Sequence, residues 1–176
     1  MSTPSTQMIV DGTDGGNIYC ASTQAGVATS IALSTTQTGF TLTNPAGSGK
    51  ALVVMEIIVA CTTAPAGAAS IVVAANVNPT ATAVTQTTPL SVRPAYLGKT
   101  ATGAGLAASA TTLPVAPVVV RAIGGPVGAS SISPAYYKDK VDGALVVAEG
   151  CAISVNSLTT AISAIISMTW KEVNAF

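Results

Sequence analysis

The residues that could do chemistry in this chain are few, and they lie far apart in the sequence. There is no histidine, so the usual base of serine and cysteine catalytic triads and the commonest zinc ligand are both missing. A Ser–Lys dyad stays open, although no spacing points to one. The seven acids show no catalytic or metal-binding spacing; they are Asp11, Asp14, Glu56, Asp139, Asp142, Glu149 and Glu172. We therefore expect no enzyme, no cofactor and no metal site.

Three stretches imitate ligand-binding motifs without completing them. Residues 47–50 (GSGK) are similar to the end of a phosphate-binding P-loop, but Asn44 and Ala51 stand where that motif needs Gly and Ser or Thr. Residues 103–108 have the form GxGxxA, but no strand precedes them as the dinucleotide fingerprint requires. Residues 11–16 (DGTDGG) lack the further ligands of a calcium loop. Each stretch is interpreted as a turn or loop.

The composition limits the possible partners. Charged residues make up 8% of the 176 residues, the net charge is zero and the mean hydropathy is +0.58, whereas a typical chain is about 25% charged. Such a surface must be rich in Ser and Thr or be covered in an assembly. The absence of a basic cluster argues against nucleic acid. No run of eighteen apolar residues predicts a membrane helix, and the first residues do not form a signal peptide.

The cysteines are expected to be free thiols. The chain has an odd number of cysteines, which are widely spaced and form no CxxC pair: Cys20, Cys61 and Cys151. Cys61 and Cys151 lie in apolar surroundings, where a free cysteine behaves as a small hydrophobic residue. This usage predicts assembly in a reducing cytoplasm.

The longest apolar run, residues 51–61, follows a turn rich in Pro and Gly and predicts a strand buried on both faces. Glu56 interrupts this run. Because a buried carboxylate is costly without a partner, we expect Glu56 to make a buried polar contact. Lys171 and Arg121 are the candidate partners, and hydrogen bonds at a subunit contact are the alternative.

Other segments alternate with the period of a strand. Residues 39–44 predict a half-buried strand, and residues 161–173 place Trp170 on an apolar face, where core packing is favoured over an interface role. About eight candidate strands and no amphipathic helix predict an all-β fold. We expect a jelly-roll-like antiparallel sandwich, with an immunoglobulin-like sandwich as the alternative. Residues 1–35 are expected to form an N-terminal arm or peripheral segment, and residues 36–176 a single sandwich domain.

The most polar part of the chain, residues 124–143, contains a cluster of aromatic and charged residues. A solvated loop tip is the favoured interpretation, and an interaction loop is the alternative. The candidate interaction residues are Tyr136, Tyr137, Lys138, Asp139, Lys140 and Asp142.

Residues 44–60, 65–79 and 166–173 resemble segments of small virion proteins of tailed bacteriophages. The resemblance implies a capsid decoration (cement) protein that binds the lattice of the major capsid protein on the outside of the virion and stabilises the head. It also implies a homotrimer without catalytic residues. Assembly of sister copies on a shell would cover a surface with few charges.

A recognition module is the alternative function. A head-fibre or tail domain could bind a host-surface glycan through residues 136–142, because aromatic rings stack on sugars while charges and amides orient them. In that case replacing Tyr136 and Tyr137 by alanine is expected to abolish glycan binding.

Overall fold

A computed structural model of the chain describes residues 17–77, 82–125 and 136–175. This part of the chain forms strands joined by turns and contains no helix, so it has no helix that could cross a membrane. The twelve strands are β1 (Ile18–Ser22), β2 (Val27–Ala28), β3 (Thr36–Thr43), β4 (Lys50–Cys61), β5 (Ser70–Asn76), β6 (Thr85–Leu90), β7 (Arg93–Pro94), β8 (Leu106–Thr112), β9 (Val118–Gly124), β10 (Tyr136–Val147), β11 (Ala152–Leu158) and β12 (Ser163–Asn174).

The strands form two antiparallel sheets packed as a sandwich, and their order is that of a jelly roll. The first sheet has the order β10-β4-β12-β1-β7, with β2 also paired to β12, and the second has the order β6-β8-β3-β11-β5-β9. The last strand, β12, lies between β1 and β4, and β11 lies between β3 and β5, as two nested Greek keys require. The predicted all-β sandwich is confirmed, and the strand order does not fit the immunoglobulin-like alternative.

Apart from the two-residue β2, which pairs with β12, three strands are an addition to the eight strands of this jelly roll. In the chain, β6, β7 and β8 lie between β5 and β9. In space, β8 and β6 extend the second sheet beyond β3, while β7 extends the first sheet beyond β1. A single insertion therefore adds strands to both sheets on one side of the sandwich. The opposite side is formed by the outer strands β9 and β10.

The core lies between the sheets and is built largely from the inward residues of β4 and β12. Along β12 the predicted apolar face is buried, and Trp170 at its end is fully buried against the ring of Tyr19, with the ring centroids 6.3 Å apart. Core packing of Trp170 is thus confirmed. The largest completely buried side chains include Trp170, Phe40, Leu42, Leu52, Ile57 and Ile71.

Two predictions of strand burial are wrong. In β4 the inward residues, such as Leu52 and Ile57, are buried, but outward residues such as Ile58 are only half-buried. The apolar residues on both faces of β4 concealed its alternation. In β3 the opposite error occurs, since Thr41 is buried as well as the apolar residues. Its hydroxyl lies 3.1 Å from that of Thr111 on β8, which satisfies it.

The domain begins earlier in the chain than predicted. Within the segment assigned to a peripheral arm, β1 pairs with β12 on one side and with β7 on the other, and Tyr19 and Ala21 are part of the core. Residues from Ile18 onward therefore belong to the sandwich, and the rest of the predicted arm, residues 1–16, lies outside the described residues. All three cysteines are free, as expected, and burial raises the pKa of the Cys61 thiol.

The long outer strands are irregular. In β10 the pairing with β4 shifts between Lys140 and Leu145, and both β6 and β9 have two shifts relative to their neighbours. Such bulges bend a strand and interrupt its hydrogen-bonding pattern, which protects an exposed sheet edge from pairing with another chain.

Candidate interaction surfaces

The residues predicted as an interaction loop lie in β10, the outer strand of the first sheet. They alternate between the two faces of that sheet: Tyr136, Lys138 and Lys140 are exposed on the outer face, and Tyr137 and Asp139 between them are half-buried. The assignment to a loop is therefore wrong, because alternating polar and aromatic residues leave an edge strand without a recognisable apolar face. The role of these residues in binding stays a prediction.

The pairing register brings Glu56 to this same outer face. Lys140 lies opposite Glu56 on β4, and Lys138 lies two pairs further along, on the same face. The Nζ atom of Lys138 is 2.6 Å from the Oε2 atom of Glu56, and this hydrogen bond is the largest cause that raises the pKa of Lys138. Glu56 has a charged partner, as expected, but the contact is not buried, since the Glu56 side chain is 27% exposed, and the partner is Lys138 rather than Lys171 or Arg121.

Two contacts join β10 to β9 across the gap between the sheets. Arg121 donates two hydrogen bonds to Asp139, from Nε at 2.5 Å and from Nη2 at 2.9 Å, and this pairing raises the pKa of Arg121. The ring of Tyr137 lies against Gly124, where an added Cβ would come within 2.8 Å of it. Burial is the main cause that raises the pKa of Tyr137. The inward side chains of β10 therefore hold the two sheets together at this side.

Asp142 has a backbone role in the same strand. It lies within the irregular part of β10 with φ 47°, next to Gly143 with φ 83°. Asp and Gly tolerate this left-handed conformation better than most residues. The Asp-Gly pair thus forms the bulge that interrupts β10 between Lys140 and Leu145.

Exposed valines form an apolar surface at the start of β9. We call it the β9 valine patch, and its members are 42 to 65% exposed. The β5–β9 pairing and the hydrogen bond from Asn76 to the carbonyl of residue 115 place its members at one corner of the second sheet. In the sequence most of these residues lie in one apolar run, and such a run more often indicates a core strand than a surface. The patch consists of Val77, Val115, Val118, Val119 and Val120.

Among the described residues, the most buried carboxylate is that of Glu172, for which the sequence predicted no particular role. It is 6% exposed and accepts hydrogen bonds from the backbone N–H groups of Ala104 (2.9 Å) and Gly105 (2.8 Å). The indole N–H of Trp170 adds a third at 3.3 Å. Burial and the negative charge of Glu172 raise the pKa of Tyr19. The sequence contains one indication that Glu172 is buried, because residues 170 and 172 lie on the same inward face of an alternating strand.

This carboxylate explains the glycine pattern at residues 103–108. A Cβ on Gly103 would lie 2.8 Å from Oε1 of Glu172, and one on Gly105 would lie 2.9 Å from the indole nitrogen of Trp170. The two glycines let the loop approach the buried carboxylate closely. The interpretation as a loop holds for residues 103–105, whereas Leu106 begins β8.

The GSGK segment is a turn whose N–H groups are already occupied. Gly47 and Gly49 have φ of 73° and 67°, and their N–H groups donate to the carboxylate of Glu149 at 3.2 and 2.6 Å. The segment then enters β4 rather than a helix. The predicted turn is confirmed, and the donors that would bind a phosphate in a P-loop bind an internal carboxylate here.

The residues with described positions include no group of three or more His, Cys, Asp or Glu side chains that could hold a metal ion. The two surfaces described above are suited to contact with a partner. The surface on β9 offers exposed valines, and the surface on β10 offers aromatic and charged side chains. No family model, no curated protein and no solved structure matches the chain.

Proposed function

We propose that this chain is a structural virion protein, a capsid decoration protein of a tailed bacteriophage that binds the lattice of the major capsid protein and stabilises the head. The proposal combines the resemblance of residues 44–60, 65–79 and 166–173 with the physical character of the folded chain. Jelly-roll domains occur in viral capsids and in lectins. This is an analogy of fold and carries no function by itself.

The β9 valine patch is the observation that carries the proposal. Its five valines include Val77 at 65% and Val118 at 61% exposure, and they lie on a chain in which only seven basic and seven acidic residues are available to keep 8645 Å² of surface hydrated. Val118 and Val119 pair with successive residues of β5, so the valines lie on both faces of this corner of the sheet. Exposed apolar side chains grouped at one place on a folded protein commonly mark a contact with another protein. Burying it against a shell would contribute about 25 cal/mol per Å² of apolar area.

The shape of the patch suits a partner that is held by side-chain packing. Because β9 carries two bulges against β5, its backbone does not present the regular row of donors and acceptors that strand addition needs. The valine side chains remain available on the surface. We therefore propose that the patch faces the capsid lattice, and that the copies around it assemble as a homotrimer.

The test is co-sedimentation of the full chain with shells of the major capsid protein encoded with it. We expect the wild-type chain to bind in a fixed ratio to the shell subunits and to form a trimer by light scattering. Val118→Asp places a charge in the apolar contact and is expected to weaken binding by at least about tenfold.

The matched control is Val146→Asp, because Val146 is 51% exposed but lies on β10 outside the patch. Binding of this variant should equal that of wild type, and the circular dichroism of both variants should remain that of a β protein. A wild-type chain that runs as a monomer and fails to sediment with shells would refute the proposal.

A second candidate is a recognition module for a host-surface glycan, favoured by the exposed row on β10. Tyr136 is 59% exposed beside Lys138 and Lys140, so its ring is free to stack on a sugar. Tyr137 packs against Gly124 instead, and its replacement would disturb the fold. On a glycan array, loss of binding in Tyr136→Ala with unchanged shell binding would favour this function, whereas an array without any signal would exclude it.

A further inference from the structure

The insertion of β6, β7 and β8 forms a cleft of about 470 Å³ on the side of the sandwich opposite β9 and β10. One wall is the outer strand β6, and the other is the chain from residue 99 to residue 105. The volume lies in the usual range for ligand sites, roughly 300 to 1,000 Å³. The floor includes apolar residues, among them Leu90 and Val92, which also pack against the core.

The charged side chains that line this cleft are both cationic. Arg93 and Lys99 are exposed at the cleft, and within the described part of the chain neither forms an ion pair. The ammonium group of Lys99 lies 5.6 Å from the centre of the Tyr96 ring, a contact that holds a cation in place without neutralising it. Two uncompensated cations beside an apolar floor favour a ligand with a negative charge.

Gln86 adds an unsatisfied donor to the same cleft. It is one of the lining residues, and its Nε2 atom is buried with no hydrogen-bond partner among the described residues. Leaving a buried donor unpaired is unfavourable. A carboxylate oxygen would accept from this amide once the side chains that cover it move aside, while the cations neutralise the charge of the carboxylate.

The wall formed by residues 99–105 is fixed from inside the protein. Glu172 accepts hydrogen bonds from Ala104 and Gly105, is 6% exposed, and among the described residues forms no ion pair with Arg93 or Lys99. The nearby acid therefore positions the wall and leaves Arg93 and Lys99 free for a ligand.

We propose that this cleft binds a carboxylate of an acidic peptide segment from a partner protein. A peptide is favoured over an acidic sugar because none of the described residues lining the cleft carries an aromatic ring, and the Tyr96 ring is already in contact with Lys99. The proline and aliphatic floor fits the methylene groups of a glutamate side chain. The site does not depend on the binding of a capsid, since it lies on the opposite side from the β9 valine patch.

The experiment uses the full chain and two fluorescent probes, a short glutamate oligopeptide and a galacturonate oligosaccharide, with binding followed by fluorescence anisotropy. We expect the peptide to bind, and Arg93→Ala and Lys99→Ala each to weaken its binding by about tenfold. Raising the ionic strength should weaken it as well, because the cations are exposed.

Lys140→Ala is the matched control, since Lys140 is an exposed cation on β10 far from the cleft. Its peptide affinity should equal that of wild type. Gln86→Met gives a readout that a structural role would not give: it removes the unpaired donor, so the thermal midpoint should hold or rise while peptide affinity falls.

Equal losses in all three cation variants would show nonspecific charge attraction and overturn the proposal. Binding of the galacturonate probe without the peptide would show a sugar site and overturn the assignment to a peptide. Binding of neither probe by a folded wild-type chain would overturn the site itself.

Discussion

On the side built by β6, β7 and β8, a buried carboxylate holds a loop in place, whereas on the outer face of β10 the ion pair lies near the surface. Glu172 is 6% exposed and accepts three hydrogen bonds. The side chain of Glu56 is 27% exposed and faces Lys138, whose side chain is 38% exposed. Breaking a buried interaction leaves unpaired groups in a medium of low dielectric, but water replaces a lost surface partner. The contact of Glu172 is therefore expected to carry more of the stability, and the outer face of β10 to tolerate change.

The largest expected effect is that of Glu172→Ala. The change removes the acceptor of two loop N–H groups and of the Trp170 indole, and the buried donors are left without partners. We expect the free energy of unfolding to fall by about 3 kcal/mol, measured by urea denaturation. Glu56→Ala is the matched control and should show a much smaller change. Equal effects of the two variants would remove the difference between the two sides.

Gly103→Ala should have the next largest effect. The new Cβ would lie 2.8 Å from Glu172 and 3.0 Å from the Tyr19 ring, so the loop must move away from its anchor. We expect a loss of about 1–3 kcal/mol in unfolding free energy, measured by thermal denaturation. Gly67→Ala, with a nearest contact of 3.3 Å to the Thr160 hydroxyl, is the control. If Gly103→Ala were as stable as Gly67→Ala, the close approach to Glu172 would not matter.

Raising the pH should lower the free energy of unfolding gradually, through the loss of the Tyr19 proton. Burial and Glu172 raise the pKa of Tyr19 above its ordinary value of 10.0, so the unfolded chain loses this proton first. The stabilisation is complete below pH 10 and is lost as the pH rises above it, because the unfolded state then binds fewer protons than the native state. Tyr19→Phe should flatten this fall in a series of urea denaturations. If the stability of Tyr19→Phe fell with pH as steeply as that of the wild-type chain, Tyr19 would not be the group responsible.

The smallest effect is expected for Lys138→Ala. Its partner Glu56 becomes more hydrated when the exposed ammonium group is removed, so the thermal midpoint should hardly change. Shell binding through the β9 valine patch should be unaffected too. A marked loss of stability would mean that the outer face of β10 is a structural part of the sandwich.

The sequence predicts the fold class well because the decisive signal is local. Alternation along β12 and turns rich in Gly and Pro can be recognised without knowledge of distant residues. These signals predict the sandwich and the buried position of Trp170. The failures involve contacts that are distant in sequence. Glu172 and Gly105 are 67 residues apart, and nothing near either residue indicates the other.

The two surfaces were predicted only in part for a related reason. Tyr136 and Lys138 were identified as candidates, but their strand could not be recognised, since both faces of β10 carry polar residues. The β9 valine patch was missed because a run such as Val118–Val120 has the same composition whether it lies inside a core or at the edge of a sheet. Its exposure depends on which strand lies beside it.

The bulges in β6, β9 and β10 have a consequence for what happens when copies of this protein meet at high concentration. A neighbouring copy that approached one of these strands would find its own peptide groups out of step after a few residues, so the sheets could not grow from molecule to molecule into a fibre. A chain with so few charges is thereby protected by backbone geometry where most proteins depend on electrostatic repulsion.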